Sequence, residues 1–192
     1  MQCVGATSAE NGRPEWTDLA VRFAGGDDAA FAQIVALYKP RVASLAYRLL
    51  GYRGELDDVV QDVFLAALEN RRRFGGRSTL WTWLTRITLN RCRSHWRRER
   101  VRRMARRLLP IPPAAAGADQ GCVAGEKAAS VAAALGQLPW RDREMLVLHY
   151  FEDLPLAQVA AMLGQRLGTV KVGLHRARQR LRERLPAGMM ED

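Results

Sequence analysis

Residues 153–185 read DLPLAQVAAMLGQRLGTVKVGLHRARQRLRERL, and their spacing decides the fold. Pro155 suits the first turn of a helix, where its missing N–H is no loss. Ala160 is small where a second helix must cross closely, and Gly164, four residues on, can take the left-handed conformation that ends a helix and turns the chain. Val170 then re-enters the shared core. This Ala–Gly–Val spacing is what a helix-turn-helix needs. The second helix separates its faces. Val170, Leu174, Ala177, Leu181 and Leu185 lie on one side, and Lys171, His175, Arg178 and Arg182 on another, flanked by Arg176, Arg180 and Arg184. Such a helix can enter a DNA major groove with its N-terminal residues at base edges. The plainer alternative is a surface helix with solvated arginines; the coincidence of turn spacing and charge favours DNA.

Outward from this motif, charge is segregated. Residues 166–184 carry six Arg, one Lys and one Glu, and residues 91–107 carry nine Arg and one Glu. Residues 51–70 are the reverse, with Arg53 against Glu55, Asp57, Asp58, Asp62 and Glu69. Two basic segments suggest two contacts with a polyanion. Of the 30 basic residues in this 192-residue chain of net charge +10, all but Lys39, Lys127 and Lys171 are Arg. Arg presents a planar fork of donors suited to phosphate and base edges. Between the basic segments, residues 108–125 hold three prolines and many small residues, which build no core and read as an exposed linker. Residues 1–14 look similarly unstructured.

The remainder reads as helix. Phe31, Ile34, Val35, Tyr38, Val42, Leu45 and Leu49 recur at helical spacing, with a kink expected at Pro40. Val60, Val63, Phe64 and Ala67 give a second stripe. Ser78 is expected to cap a third helix that buries Leu80, Trp83, Leu84 and Ile87. No segment alternates with a period of two for long enough to be a strand. The expectation is an all-α protein of two small helical domains. No uncharged apolar run approaches the ~20 residues of a membrane span, and the N-terminus lacks the pattern of a signal peptide. Cys3, Cys92 and Cys122 form no CxxC pair, which suits a reducing compartment. Cys92 and His95 stand at i, i+3, but two ligands fall short of the four that zinc wants, so they read as an incidental surface pair.

Two further groups carry chemistry. Asp58, Gln61, Asp62 and Leu65 share one helix face, opposite the apolar stripe. An acidic face in a basic protein repels DNA and suits a basic protein partner, unless it is merely solvated. Residues 74–90, FGGRSTLWTWLTRITLN, lead from a glycine-rich loop into a helix with two Trp, and the Arg block follows. Aromatics interleaved with Arg suit single-stranded nucleic acid. The alternative is that Trp83 is core and Trp81 half exposed.

Together these residues resemble the extracytoplasmic-function (ECF) group of bacterial sigma factors, promoter-recognition subunits of RNA polymerase. Asp57-Asp58-Val59-Val60-Gln61-Asp62-Val63-Phe64-Leu65 is similar to the polymerase-binding segment, and Trp83-Leu84-x-x-Ile87-x-x-Asn90 to the helix that opens the −10 element. Leu138-Pro139 through Tyr150-Phe151, with Thr169-Val170-Lys171 and Leu174-His175-Arg176-Ala177-Arg178, is similar to the domain that reads the −35 element.

The resemblance implies a sigma2-like helical bundle at 27–105 and a sigma4-like helix-turn-helix domain at 130–186. A flexible linker (106–129) would join them, with a partly disordered extension (1–26) and a tail (187–192) at the ends. It implies that Asp57, Asp58, Gln61, Asp62 and Leu65 dock on the β′ clamp helices of core polymerase, with further contact to the β subunit. Phe74, Arg77, Ser78, Trp81, Asn90, Arg93, Arg97 and Arg98 would hold the melted −10 strand. Arg166, Thr169, Lys171, Val172, His175, Arg176 and Arg178 would hold duplex −35 DNA. An anti-sigma partner, no cofactor, no catalysis by this chain and a cytoplasmic location are also implied.

The chain departs from the family at several points. Ser94 stands where Asp is common, and Arg77 sits in an often acidic loop. Gln165-Arg166-Leu167 lacks the customary Ser cap, and Val172-Gly173 replaces a frequent Ser-Arg. Two other classes fit parts of the chain. A stand-alone helix-turn-helix regulator would leave the acidic face and the Trp-rich helix without a role. A single-stranded RNA-binding module would rest on residues 74–107.

Overall fold

The computed structural model describes residues 14–51, 56–76, 78–108 and 126–185. An N-terminal lobe comprises α1 (Pro14–Gly25), α2 (Asp28–Leu50), α3 (Leu56–Glu69), a 3-10 turn (Arg71–Arg73) and α4 (Leu80–Leu108). A C-terminal lobe comprises α5 (Glu126–Gly136), α6 (Trp140–Leu146), a π-helical turn (Val147–Phe151), α7 (Leu156–Leu163) and α8 (Leu167–Arg182). Among the described residues there is no strand. Residues 1–13, 109–125 and 186–192, which include most of the expected linker, lie outside the described residues.

Local chemistry accounts for the helix boundaries. Asp27 caps α2, its Oδ1 accepting from the backbone N–H groups of Ala29 and Ala30 at 2.8 and 3.1 Å. The Arg22 guanidinium bonded to its other oxygen holds the Asp27 carboxyl below the usual carboxylate range. Helix α2 continues through Pro40 and ends at Gly51, whose left-handed φ of 65° lets its N–H close back on the Tyr47 carbonyl. The expected cap of α4 is shifted by one residue. The helix begins at Leu80, so Thr79 rather than Ser78 stands at the cap position, and its Oγ1 accepts from the Thr82 N–H at 3.1 Å.

The core runs through both lobes. From α2 it takes Ile34, Tyr38, Val42, Leu45 and Leu49, from α3 Val59, Val60, Val63 and Phe64, and from α4 Leu84, Leu89 and Cys92. The C-terminal lobe adds Leu135, Leu146, Val147, Leu148, Val159, Val170, Leu174 and Ala177. Phe31 and Val35 pack at its edge. Leu19 and Phe23 of α1, within the stretch expected as an extension, are buried in it as well. Truncating a fully buried leucine such as Leu45 to Ala costs about 2–5 kcal/mol.

The lobes meet most closely where α2 and α5 end. A Cβ on Gly51 would stand 2.7 Å from the Gly136 Cα, so only glycine allows this approach. Arg143 pins the same point: it donates to the Leu49 carbonyl at 2.6 Å, to Gly136 at 2.6 Å and to Leu138 at 3.0 Å.

Candidate nucleic-acid interface

Three surfaces hold the residues singled out from the sequence. On α3, Asp57, Asp58, Gln61 and Leu65 are exposed, and Asp62 is half-buried beside them. The opposite side of α3 buries Val59, Val60, Val63 and Phe64, which fixes the outward direction of the polar set. Asp57 and Asp58 lie in the first turn, where the helix dipole favours negative charge. Leu65 is 49% exposed, an apolar side chain set among carboxylates.

The helix-turn-helix forms as expected. Gly164 ends α7 with φ 65° and ψ 35°, its N–H bonded to the Ala160 carbonyl, and Val170, Leu174 and Ala177 bury one strip of α8. Arg166 precedes α8 without a side-chain cap, in keeping with the absent Ser. Arg166, Thr169, Lys171, Val172, His175, Arg176 and Arg178 are all exposed. At 3.6 residues per turn, Val172, His175 and Gln179 form the ridge farthest from the buried strip. Val172, 53% exposed, is at its centre, with Arg176 to one side and Lys171 and Arg178 to the other. Arg180 is turned inward to the buried Asp142 carboxylate of α6. Gly173 also has a packing reason: a Cβ there would stand 2.8 Å from the Met145 Cε.

The residues expected at the −10 strand do not share one face. Asn90, Arg97 and Arg98 are exposed on α4, and Ser78 is exposed just before it. Arg77 lies outside the described residues. Trp81 and Asn90 are nine residues apart, two and a half turns, and so lie on opposite sides of the helix. Trp81 is buried rather than half exposed. It stacks on Tyr38 at 5.8 Å, carries the Arg41 guanidinium 3.9 Å from its ring centre and donates through Nε1 to Glu152 at 3.1 Å. Trp83, read as core, is the partly exposed one. Seven residues from Asn90, it shares that residue's side of α4, and its ring meets Phe74 at 5.4 Å and Phe23 at 6.0 Å. Arg93 is half-buried and bonded to Glu144 at 2.8 Å. Cys92 and His95, expected at the surface, are both buried. Desolvation pushes the Cys92 thiol up to about 12.

Sequence reasoning missed the charged residues buried between the lobes. Glu152 meets Arg41 at 3.9 Å and Arg48 at 3.6 Å besides Trp81. Burial raises its carboxyl to about 7, against the opposing pull of the two guanidinium groups and the Trp81 N–H. Glu144 accepts from Trp140 Nε1 at 2.6 Å as well as from Arg93. The run Trp140-Arg141-Asp142-Arg143-Glu144 offers no periodic signal of this, because its partners on α2, α4 and α8 are 38 to 94 residues away in the chain.

Comparison with known proteins agrees with this arrangement. Residues 34–103 match the family model for Sigma-70 region 2, and residues 128–181 that for Sigma-70, region 4. The ECF RNA polymerase sigma factor SigW of Bacillus subtilis is 31% identical over 178 residues, covering 83% of this chain and 91% of its own. RNA polymerase sigma factor CnrH of Cupriavidus metallidurans is 34% identical over 185 residues, 91% of this chain and 97% of that one. The structure of CnrH in complex with the cytosolic domain of CnrY matches with a TM-score of 0.62 at 29% identity, over 88% and 95% of the two chains. Sigma factor RpoE in complex with the anti-sigma factor NepR from Bartonella quintana matches with a TM-score of 0.64 at 27% identity, over 80% and 94%. With both sigma regions present in order along one chain, this protein belongs to the ECF group of the sigma-70 family and directs promoter-specific transcription initiation by RNA polymerase.

Proposed function

We propose a division of labour among the three surfaces, with a sigma2-like domain over residues 27–105 and a sigma4-like domain over residues 130–186. The exposed set Asp57, Asp58, Gln61, Asp62 and Leu65 fastens the chain to a basic surface of core polymerase, Leu65 adding an apolar contact among charge–charge ones. Asn90, Arg97 and Arg98, with Phe74 and Ser78 and with Trp83 in place of Trp81, hold the melted −10 strand. Stacking of a base on an aromatic ring is worth about 1–3 kcal/mol, comparable with the few kcal/mol needed to extrude a base from the duplex. Two such rings beside a row of Arg suit strand separation without nucleotide hydrolysis.

The open face of α8 holds the −35 duplex. Lys171, Arg176 and Arg178 neutralise phosphates on either side of the ridge, and Val172 at its centre suits a thymine methyl group. The chain performs no bond chemistry itself; polymerase does. Its place is the cytoplasm, with the polymerase. A protein partner in the manner of NepR, the anti-sigma factor bound to RpoE, is a fitting regulator.

The observation that carries this reading is the outward disposition of three chemically distinct faces on one small helical frame. Run-off transcription with core enzyme on a library of promoter fragments tests it. Initiation at a defined subset of sites is expected; uniform or absent initiation overturns it. In parallel, Asp58→Arg with Asp62→Arg is expected to abolish co-elution with core enzyme in gel filtration while helicity is kept.

A further inference from the structure

The two rings proposed to receive a −10 base are braced by a helix that lies outside the region 2 match at residues 34–103. Trp83 is partly exposed, and two phenylalanine rings meet it edge to face. Phe74 stands at 5.4 Å with 65° between the planes, and Phe23 of α1 at 6.0 Å with 64°. Phe23 is itself only 1% exposed and stacks on Phe31 of α2 at 5.8 Å. Phe31, Phe23, Trp83 and Phe74 thus form one line of rings, each pair within the separation at which aromatic side chains attract.

The corner after α1 also touches the turn that leads into Phe74. Gly26 closes α1 by donating to the Phe23 carbonyl at 3.0 Å, and its φ of 96° carries the chain into α2. A Cβ there would stand 3.6 Å from the Arg71 Nε, and α1 itself packs on the turn Arg71–Arg73. Phe74 ends that turn. One corner of the fold therefore supports both members of the exposed pair, Trp83 through its ring and Phe74 through the backbone before it.

A tryptophan at a helix surface has several rotamers open to it, and a base stacks well on only one setting of the ring. Fixing that setting beforehand removes the ordering cost from the step in which the strand opens. Phe23 offers almost no surface of its own to the strand, so its contribution passes through Trp83.

We propose that Phe23 is a positioning residue for −10 recognition: from α1 it sets the Trp83 ring, and with it the angle to Phe74, at which a flipped base is received. This role rests on the −10 assignment of Trp83 and Phe74 above. It makes α1 a working part of the −10 reader.

Phe23→Leu keeps the apolar volume and removes the ring. With reconstituted holoenzyme, 2-aminopurine in the −10 strand reads the rate at which bound promoter opens. Phe23→Leu is expected to slow opening about fivefold and Trp83→Ala about tenfold. The double variant is expected to lose about tenfold as well, since without the Trp83 ring Phe23 has nothing to position. Co-elution with core enzyme and affinity for duplex −35 DNA are expected to match wild type in all three. Fluorine NMR of the free protein labelled with 5-fluorotryptophan needs no DNA: the line that Trp83→Phe removes is expected to shift and broaden in Phe23→Leu. Opening at full speed in Phe23→Leu, or an unmoved Trp83 line, overturns the positioning role. So does a multiplied loss of about fiftyfold in the double variant, which places Phe23 in the folding of the lobe alone. A line that moves in Phe23→Leu, while Trp83→Ala opens promoters at full speed, supports the setting of the ring and strikes the −10 assignment of Trp83 instead.

Discussion

Helices α4 and α8 are both rich in arginine, but they are buried differently. Helix α8 gives one strip to the core through Val170, Leu174 and Ala177, ties Arg180 to Asp142 of α6, and leaves the face around Val172, His175 and Gln179 open. Helix α4 is clasped on two sides, by α2 and α3 of its own lobe and by Glu144, Glu152 and Trp140 of the other. In an open helix nearly every arginine is available to a polyanion. In a clasped helix the same residue type divides into arginines that face solvent, such as Arg97 and Arg98, and those that hold the fold together, such as Arg93. Abundance of charge does not distinguish them; the angular position around the helix does.

The sharpest way to break this contrast is on the aromatic pair of α4. Trp83→Ala with Asn90→Ala is expected to lower open-complex formation by about 10- to 100-fold, as stacking on one ring alone is worth about 1–3 kcal/mol. Binding of the same protein to duplex −35 DNA is expected to stay near wild type in a fluorescence titration. Equal losses in both assays would place Trp83 in the folding of the lobe instead.

On the open helix, Arg176→Ala with Arg178→Ala is expected to weaken −35 duplex binding about tenfold. It should also lower the slope of log affinity against log salt by about two, because each arginine neutralises roughly one phosphate. An unaltered slope would remove both residues from the interface. The corresponding pair on the clasped side, Trp81 and Arg93, is expected to change compactness before it changes DNA binding.

A smaller effect concerns pH. Packing of the lobes raises the Glu152 carboxyl from its ordinary 4.5 to about 7, since burial outweighs Arg41, Arg48 and Trp81, and Asp153 adds to the rise. The packed form therefore binds the extra proton. Its stability is greatest below about 4.5 and falls as pH climbs through about 7. Compactness by scattering is expected to decline between pH 5 and 8 in wild type and to stay flat in Glu152→Gln, which keeps an acceptor for the Trp81 N–H.

The smallest effect concerns Gly173. Replacing it by Ala restores about 1 kcal/mol of helix propensity but displaces the Met145 methyl. The two nearly cancel, so urea denaturation is expected to place Gly173→Ala within about 1 kcal/mol of wild type.

The same contrast explains what could be read from the residues alone. The helix-turn-helix was legible because Pro155, Ala160, Gly164 and Val170 act over a few residues, and α8 has a single buried strip whose period shows directly. The face of α3 was legible for the same reason. The reversal of Trp81 and Trp83 was not. Two tryptophans so close together on a helix clasped from two sides carry no local sign of which side the second lobe covers, and the partner that settles it, Glu152, is 71 residues away. Thr79 in place of Ser78 is a one-residue shift between two equally competent caps. The buried charges Arg143, Glu144 and Glu152 look like surface residues in any local reading, because each has a partner on the other lobe that no local pattern announces.

The burial of Cys92 bears on how this factor can respond to oxidative stress. A thiol held at about 12 is ionised in only about one molecule in 100,000 at neutral pH, and the thiolate is the form that peroxides and disulfides attack. Packed within α4 without access to solvent, Cys92 is a chemically silent space-filler. Any sensitivity of this protein to oxidants then originates elsewhere than at Cys92, whether at another thiol, at an exposed methionine such as Met104, or in whatever holds the factor in check.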